Sequence, residues 1–144
     1  MGDDAAGCLV VRKLRQHDLP KGVKLIEAGT PGLNLLHIME PGERVIIVDA
    51  VSSGMPAGTI TVYSEEEMPK PAQMPASAHQ LAIPEAIILG RTVQPELMPK
   101  SIEIWGIEVD LPLKLKNSLS SEVEKAIDIM AERIADFCRD YVQK

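Results

Sequence analysis

The sequence predicts an α/β fold with a mainly parallel sheet covered by helices, and three observations carry that prediction. The first is "RVIIVDAV", in which Val45, Ile46, Ile47 and Val48 run together, β-branched and uncharged. A strand apolar on both faces belongs in the middle of a parallel sheet. The second is the last helix, where Val123, Ile127, Met130, Ile134, Phe137 and Tyr141 recur at spacings of four and three, a single apolar stripe on a charged helix. The third is the order helix, strand, helix, strand, strand, helix, strand, helix, which is a doubly wound sheet entered one element late. The strand expected ahead of the first helix, central in such a fold, is missing from this chain.

Taken in order, residues 4–17 read as a helix, with Leu9, Val10 and Leu14 on one face and Arg12, Lys13, Arg15 and Gln16 on the other. Asp3 or Asp4 would cap its N-terminus, and the basic cluster suits its C-terminal end. "LPKG" breaks the chain before "VKLIEAG", a short strand ending at Ala28-Gly29. "TPGLNLLHIMEPG" reads as a short helix, with Leu33, Leu36 and Met39 or Ile38 turned inward. "GTITVY" (58–63) alternates and predicts a strand near a sheet edge. Residues 64–78 read as a surface loop rich in acids, then in Pro, Met and Ala. "HQLAIPEAIILGR" is helical, with Pro84 near its first turn or bending it. "SIEIWGIEV" is a strand with the chain's single Trp, and Ser121 with Glu124 predicts a capping box on the final helix.

Length and composition bound the rest. At 144 residues, 45% apolar and 25% charged, the chain is expected to form one soluble domain, 1–144. A net charge of −6 argues against nucleic-acid binding, which needs a concentrated basic face. No apolar run reaches the length of a membrane span. Cys8 and Cys138 are too far apart in sequence for a zinc knuckle or redox pair. They predict two free buried thiols in a reducing compartment, the cytoplasm.

Several residues could carry chemistry. Asp49 closes the apolar strand, and open α/β sheets place ligands at the carboxyl ends of their strands; capping the following turn is the competing role. Asp4 sits where an N-cap is the ordinary duty. His79 begins a helix after a loop, whereas His17 and His37 read as surface histidines. Two carboxylates and an imidazole brought to one sheet edge would suit a borderline divalent metal, although spacings of 4, 49 and 79 are no metal motif. The Gly29-Thr30-Pro31-Gly32 loop could meet a ligand by its backbone or serve only as a turn. No nucleophile elbow, phosphate loop or dinucleotide fingerprint occurs in the sequence.

Five patterns then coincide in order: "GDDAAG" before a helix, "EAGTPGLNLL", "RVIIVDAV", "PAGTITVY" and "SAHQL". Together they resemble the hydrogenase maturation endopeptidases over essentially the whole chain. The resemblance implies a three-layer α/β sandwich with a twisted sheet between helices. It implies a cytoplasmic metal-dependent endopeptidase that removes a C-terminal extension from the precursor of the nickel–iron hydrogenase large subunit once nickel is installed. The metal-contacting residues carry over to Asp4, Asp49 and His79, and the substrate loop to Gly29, Thr30 and Gly32. The nickel is borne by the substrate, and other divalent metals could occupy the same ligands. No catalytic base is implied.

Such proteins begin with an apolar strand running into G-x-G-N, of which this sequence keeps only Met1-Gly2-Asp3-Asp4. The expectation is that Met1 is an internal position, and that the 144-residue chain is poorly stable, aggregates or recruits a strand from another chain. The rival function is a non-catalytic or degenerate module that binds the hydrogenase large subunit without cutting it. A small-molecule enzyme on a flavodoxin-like sheet is disfavoured by the lack of a phosphate-binding loop.

Overall fold

The computed structural model describes residues 6–28, 34–51, 53–68, 83–109 and 120–142. Among the described residues four α-helices and three strands form the framework: α1 (Ala6–Leu14), α2 (Leu35–Ile38), β1 (Arg44–Val51), β2 (Ile60–Ser64), α3 (Ile83–Val93), β3 (Ser101–Glu108) and α4 (Ser121–Val142). The strands lie in the order β1-β3-β2. Lys100 N–H donates to Glu43 O at one end of the β1/β3 pair, and Val109 N–H to Val51 O at the other; the two strands are parallel. Glu108 N–H donates to Thr59 O, and Thr61 lies against Gly106, so β2 runs antiparallel to β3. The fold is α/β with a mixed sheet flanked by helices.

Two expectations about the sheet are corrected. Among the described residues β1 is bonded to β3 alone, so the "VIIV" strand is an edge, half-buried along Val45–Val51. The central strand is β3, whose residues from Ile104 to Glu108 are all buried. Segment 23–28 keeps the alternation of a strand, with Val23, Leu25 and Glu27 half-buried and Lys24, Ile26 and Ala28 exposed, but it forms no strand. Alternation records which side faces the protein; a strand also needs a neighbour's backbone to pair with. Arg12 and Arg15 on α1 hold this segment instead, both bonded to the Glu27 carboxylate at 2.9 and 2.5 Å. The hydrogen bonds from Arg15 and Arg12, more than their charge, keep Glu27 below the usual carboxylate range.

The chain forms two compact units, and each of the three strands runs from one into the other. Unit 1 comprises Met1–Gly29, Val48–Thr61 and Trp105–Lys144. In it α1 packs on α4, burying Ala6, Val10 and Leu14 of the first and Val123, Ala126, Ile127, Met130, Ala131, Ile134 and Ala135 of the second. Trp105 meets Phe137 edge to face, with ring centroids 6.3 Å apart. The predicted stripe of α4 holds to Ile134 and then loses burial, Tyr141 being 50% exposed. Its cap is displaced by one residue: Ser120, not Ser121, accepts the N–H of Val123. α1 ends at Leu14, and the expected last turn to His17 is a looser turn.

Unit 2 comprises Thr30–Ile47 and Val62–Ile104. Its core joins Leu35, Met39, Met68, Ala86, Ile87, Met98, Ile102 and Ile104, with Val45, Ile47 and Tyr63 packed against it. α2 is one turn long and turns Leu35 inward, a residue the sequence reading did not select. α3 and α2 approach closely because residue 90 is glycine; a Cβ there would lie 2.8 Å from Leu36 Cδ2. Pro84 stands in the first turn of α3, where its missing N–H costs nothing. The acidic stretch after β2 is a 3-10 turn at Glu65–Glu67, closed by a capping box between Ser64 and Glu67.

Gly58 supplies the first prediction. Its φ is +89°, and a Cβ would sit 2.6 Å from the Glu122 carbonyl oxygen. Gly22 has φ +94° with nothing within 4 Å. Gly22→Ala should therefore lose only the left-handed strain, about 1–2 kcal/mol. Gly58→Ala adds an overpacking cost of about 1–3 kcal/mol. The expected melting temperatures, read by circular dichroism, fall in the order wild type, Gly22→Ala, Gly58→Ala; equal losses would refute the close approach.

Candidate functional site

Of the residues to which the sequence points, the structure describes Asp49. Asp4, His79, Gly29, Thr30 and Gly32 lie outside the described residues. Asp49 stands within β1, two residues before the strand ends at Val51, rather than closing the strand as expected. Its carboxylate accepts the N–H of Ala50, but burial outweighs that bond and raises its pKa above the ordinary 3.8. Desolvation disfavours the charged form, so this carboxylate gains more than a surface aspartate from a positive partner.

α1 reaches this point of the strand through Gly7. A Cβ on Gly7 would lie 2.6 Å from the Val48 carbonyl oxygen and 3.8 Å from Asp49 Cα. Only a residue without a side chain lets the helix backbone come so near. The first turn of α1 is therefore seated on the backbone beside Asp49. Asp4 is three positions before Gly7 in the chain.

The rim at the carboxyl ends of β1 and β3 is fastened by Glu108, a residue the sequence reading passed over. It is 2% exposed, the one buried charged side chain among the described residues. Its carboxylate accepts the N–H and the Oγ–H of Ser53, at 2.7 and 2.5 Å. The clue was a lone acid inside the apolar run "IWGIEV".

Among the described residues no group of three or more His, Cys, Asp or Glu side chains is placed to hold a metal. Cys8 and Cys138 are free thiols, half-buried rather than buried, and burial pushes the Cys138 thiol up. His37 is exposed and His17 half-buried. A groove of about 420 Å³ in unit 2 is lined by residues of both charges, including Arg44, Glu65, Arg91, Lys100 and Glu103. Arg91 and Glu65 neutralise each other there in a two-bond pair at 2.8 and 2.9 Å. None of these is a residue to which the sequence points. Among the described residues no helix is long and apolar enough to cross a membrane.

Comparison with known proteins then bears on the whole chain. The sequence profile of the hydrogenase maturation protease family HycI matches residues 8–137. A Methanocaldococcus jannaschii protein assigned as a hydrogenase maturation protease is 35% identical over 140 residues, covering 92% of this chain and 86% of that one. The hydrogenase 2 maturation protease of Escherichia coli is 29% identical over 140 residues, covering 96% and 84%. Among solved structures, the hydrogenase maturating endopeptidase HybD from E. coli superposes with a TM-score of 0.78 at 28% identity, over 98% of this chain and 86% of that one. The resemblance read from five short patterns thus extends along the sequence and into the fold, and the chain belongs to the hydrogenase maturation proteases, a family of peptide hydrolases.

Proposed function

We propose that this protein is the cytoplasmic endopeptidase that removes the C-terminal extension from a nickel–iron hydrogenase large-subunit precursor after nickel insertion. The observation that carries the reading is Asp49. It is a half-buried carboxylate with a raised pKa at the carboxyl end of a parallel strand pair, in a chain of this family. The nickel is part of the substrate, and Asp4, Asp49 and His79 bind it: two carboxylates and an imidazole suit a borderline divalent ion. Gly29, Thr30 and Gly32 form the loop that meets the substrate chain. The residues of this protein would hold the ion so that the scissile bond lies beside it, where the ion would be placed to supply Lewis acidity.

The test is incubation of the purified protein with nickel-loaded precursor, read by intact mass. Wild type should release the C-terminal peptide and His79→Ala should not, with its fold unchanged by circular dichroism. Processing by His79→Ala at the wild-type rate would remove the ligand assignment. Binding of the precursor by wild type without cleavage would favour the rival reading, a module that recognises the large subunit and does not cut it.

Among the described residues β1 is bonded to β3 alone, which supports a proposal about assembly. We propose that residues 1–144 unfold as one domain, since all three strands are shared by both units. The 144-residue chain self-associates along the side of β1 that carries no strand among the described residues, because a half-buried apolar edge is a template for another strand. Light scattering should show a mass that rises with concentration over the micromolar range. A monomer that melts in one sharp step at all concentrations would overturn the self-association.

A further inference from the structure

We infer that Glu108 is a positioning residue for the proposed reaction: it holds the loop after Asp49 in the shape that admits the substrate. The inference rests on the endopeptidase reading above and extends it to a residue outside the metal set.

Glu108 ties down both ends of one loop. Its side chain takes Ser53, at the start, by two bonds. Its main chain takes the end, donating to Thr59 O and accepting from Gly58 N–H, each at 2.8 Å. The next residue, Val109, bonds Val51 O at 2.9 Å. Thr59 folds the loop onto itself, with its N–H and its Oγ–H both donating to Pro56 O. Between these anchors stand Gly54 at φ +92° and Met55, 50% exposed. The loop is thus a short arch with fixed feet and an apolar side chain exposed along it.

The arch stands next to the proposed site. Ser53 follows Asp49 by four residues, which in extended chain is at most roughly 14 Å. The arch is therefore within reach of a large precursor presenting its metal to Asp49. A binding loop held in its bound shape before the partner arrives lowers the ordering cost of association. Burial of a carboxylate is an expensive way to obtain mere structure, since an apolar residue of similar volume is often as stable or more so. The main-chain bonds to Gly58 and Thr59 do not need the side chain at all. What the carboxylate adds is the hold on Ser53.

The variants separate these roles. Glu108→Leu fills the space and keeps the main-chain bonds but releases Ser53. Glu108→Gln keeps both bonds, accepting the Ser53 N–H and donating to its Oγ. Ser53→Ala removes one bond of the two. Steady-state processing of nickel-loaded precursor should show KM raised at least tenfold in Glu108→Leu, with kcat within threefold of wild type. Glu108→Gln should restore KM to within threefold, and Ser53→Ala should fall between. Folded Glu108→Leu with wild-type KM overturns the inference and leaves the endopeptidase reading intact. If Glu108→Leu does not fold, Ser53→Ala decides by the same criterion. Wild type that processes nothing overturns both.

Discussion

Asp49→Asn is expected to abolish processing and, at neutral pH, to make the protein more stable. The two effects have one cause. Burial raises the Asp49 pKa above 3.8, against a smaller opposing effect from the Ala50 N–H. The folded state therefore holds the proton more tightly than the unfolded chain does. Between the unfolded and the folded pKa the native state carries more protons, so stability falls as pH rises through that window and stays reduced above it. Asparagine accepts the Ala50 N–H equally well and has no charge to desolvate. The gain at pH 8 should be about 1 kcal/mol, the usual size when a functional but destabilising group is replaced, or roughly 3 °C in Tm for a domain of this size. It should shrink as pH falls through that window and vanish below the unfolded pKa, where the wild-type carboxyl is protonated in both states. Neutral amide oxygen is a poor substitute for carboxylate toward a divalent ion, so processing should be lost across the whole pH range. Thermal melts of both proteins at pH 4 and pH 8, with mass spectrometry of the precursor, check both halves. An Asp49→Asn protein less stable than wild type at pH 8 would show that burial is not what governs this carboxyl.

The sequence carried more about identity than about pairing. Apolar stripes are local, so α1, α3 and α4 could be read directly, as could the strands at β1, β2 and β3. Strand order is not local. "RVIIVDAV" has the composition of a central strand but lies at an edge among the described residues, because composition states what a strand can be packed against and not which backbone lies beside it. Residues 23–28 make the same point from the other side, alternating as a strand does but forming no strand among the described residues. The buried acid was illegible for a different reason. Glu108 earns its place through Ser53, a partner 55 residues away, and no period or motif links the two. The one-residue error at the cap of α4 is smaller in kind. Two adjacent serines, Ser120 and Ser121, offer the same hydroxyl, and only the helix geometry chooses between them.

Gly7→Ala should reduce processing by roughly 100-fold while leaving the fold in place. Alanine ordinarily favours a helix over glycine by about 1 kcal/mol, so on local grounds the substitution is stabilising. Its Cβ, however, would stand 2.6 Å from the Val48 carbonyl oxygen, where carbon contacts settle near 3.5–4 Å. That oxygen belongs to the backbone of β1 and cannot swing aside as a side-chain terminus would, so α1 must withdraw by roughly 1 Å. Overpacking of this kind costs about 1–3 kcal/mol, partly offset by the helix preference, and the net loss of stability should be modest. The larger consequence falls on the site. Gly7 is the contact that seats α1 beside Asp49, and Asp4, a proposed ligand of the same ion, is three residues upstream. A displacement near 1 Å between groups that must converge on one ion can cost about 100-fold in rate. Melting temperature and kcat/KM measured on the same preparation separate the two terms. Val10→Ala, which removes buried volume from α1 without touching β1's backbone oxygen, is the comparison: it should lose more stability than Gly7→Ala and less activity. If Gly7→Ala instead processes precursor at the wild-type rate, the seating of α1 on β1 does not set the geometry of the site.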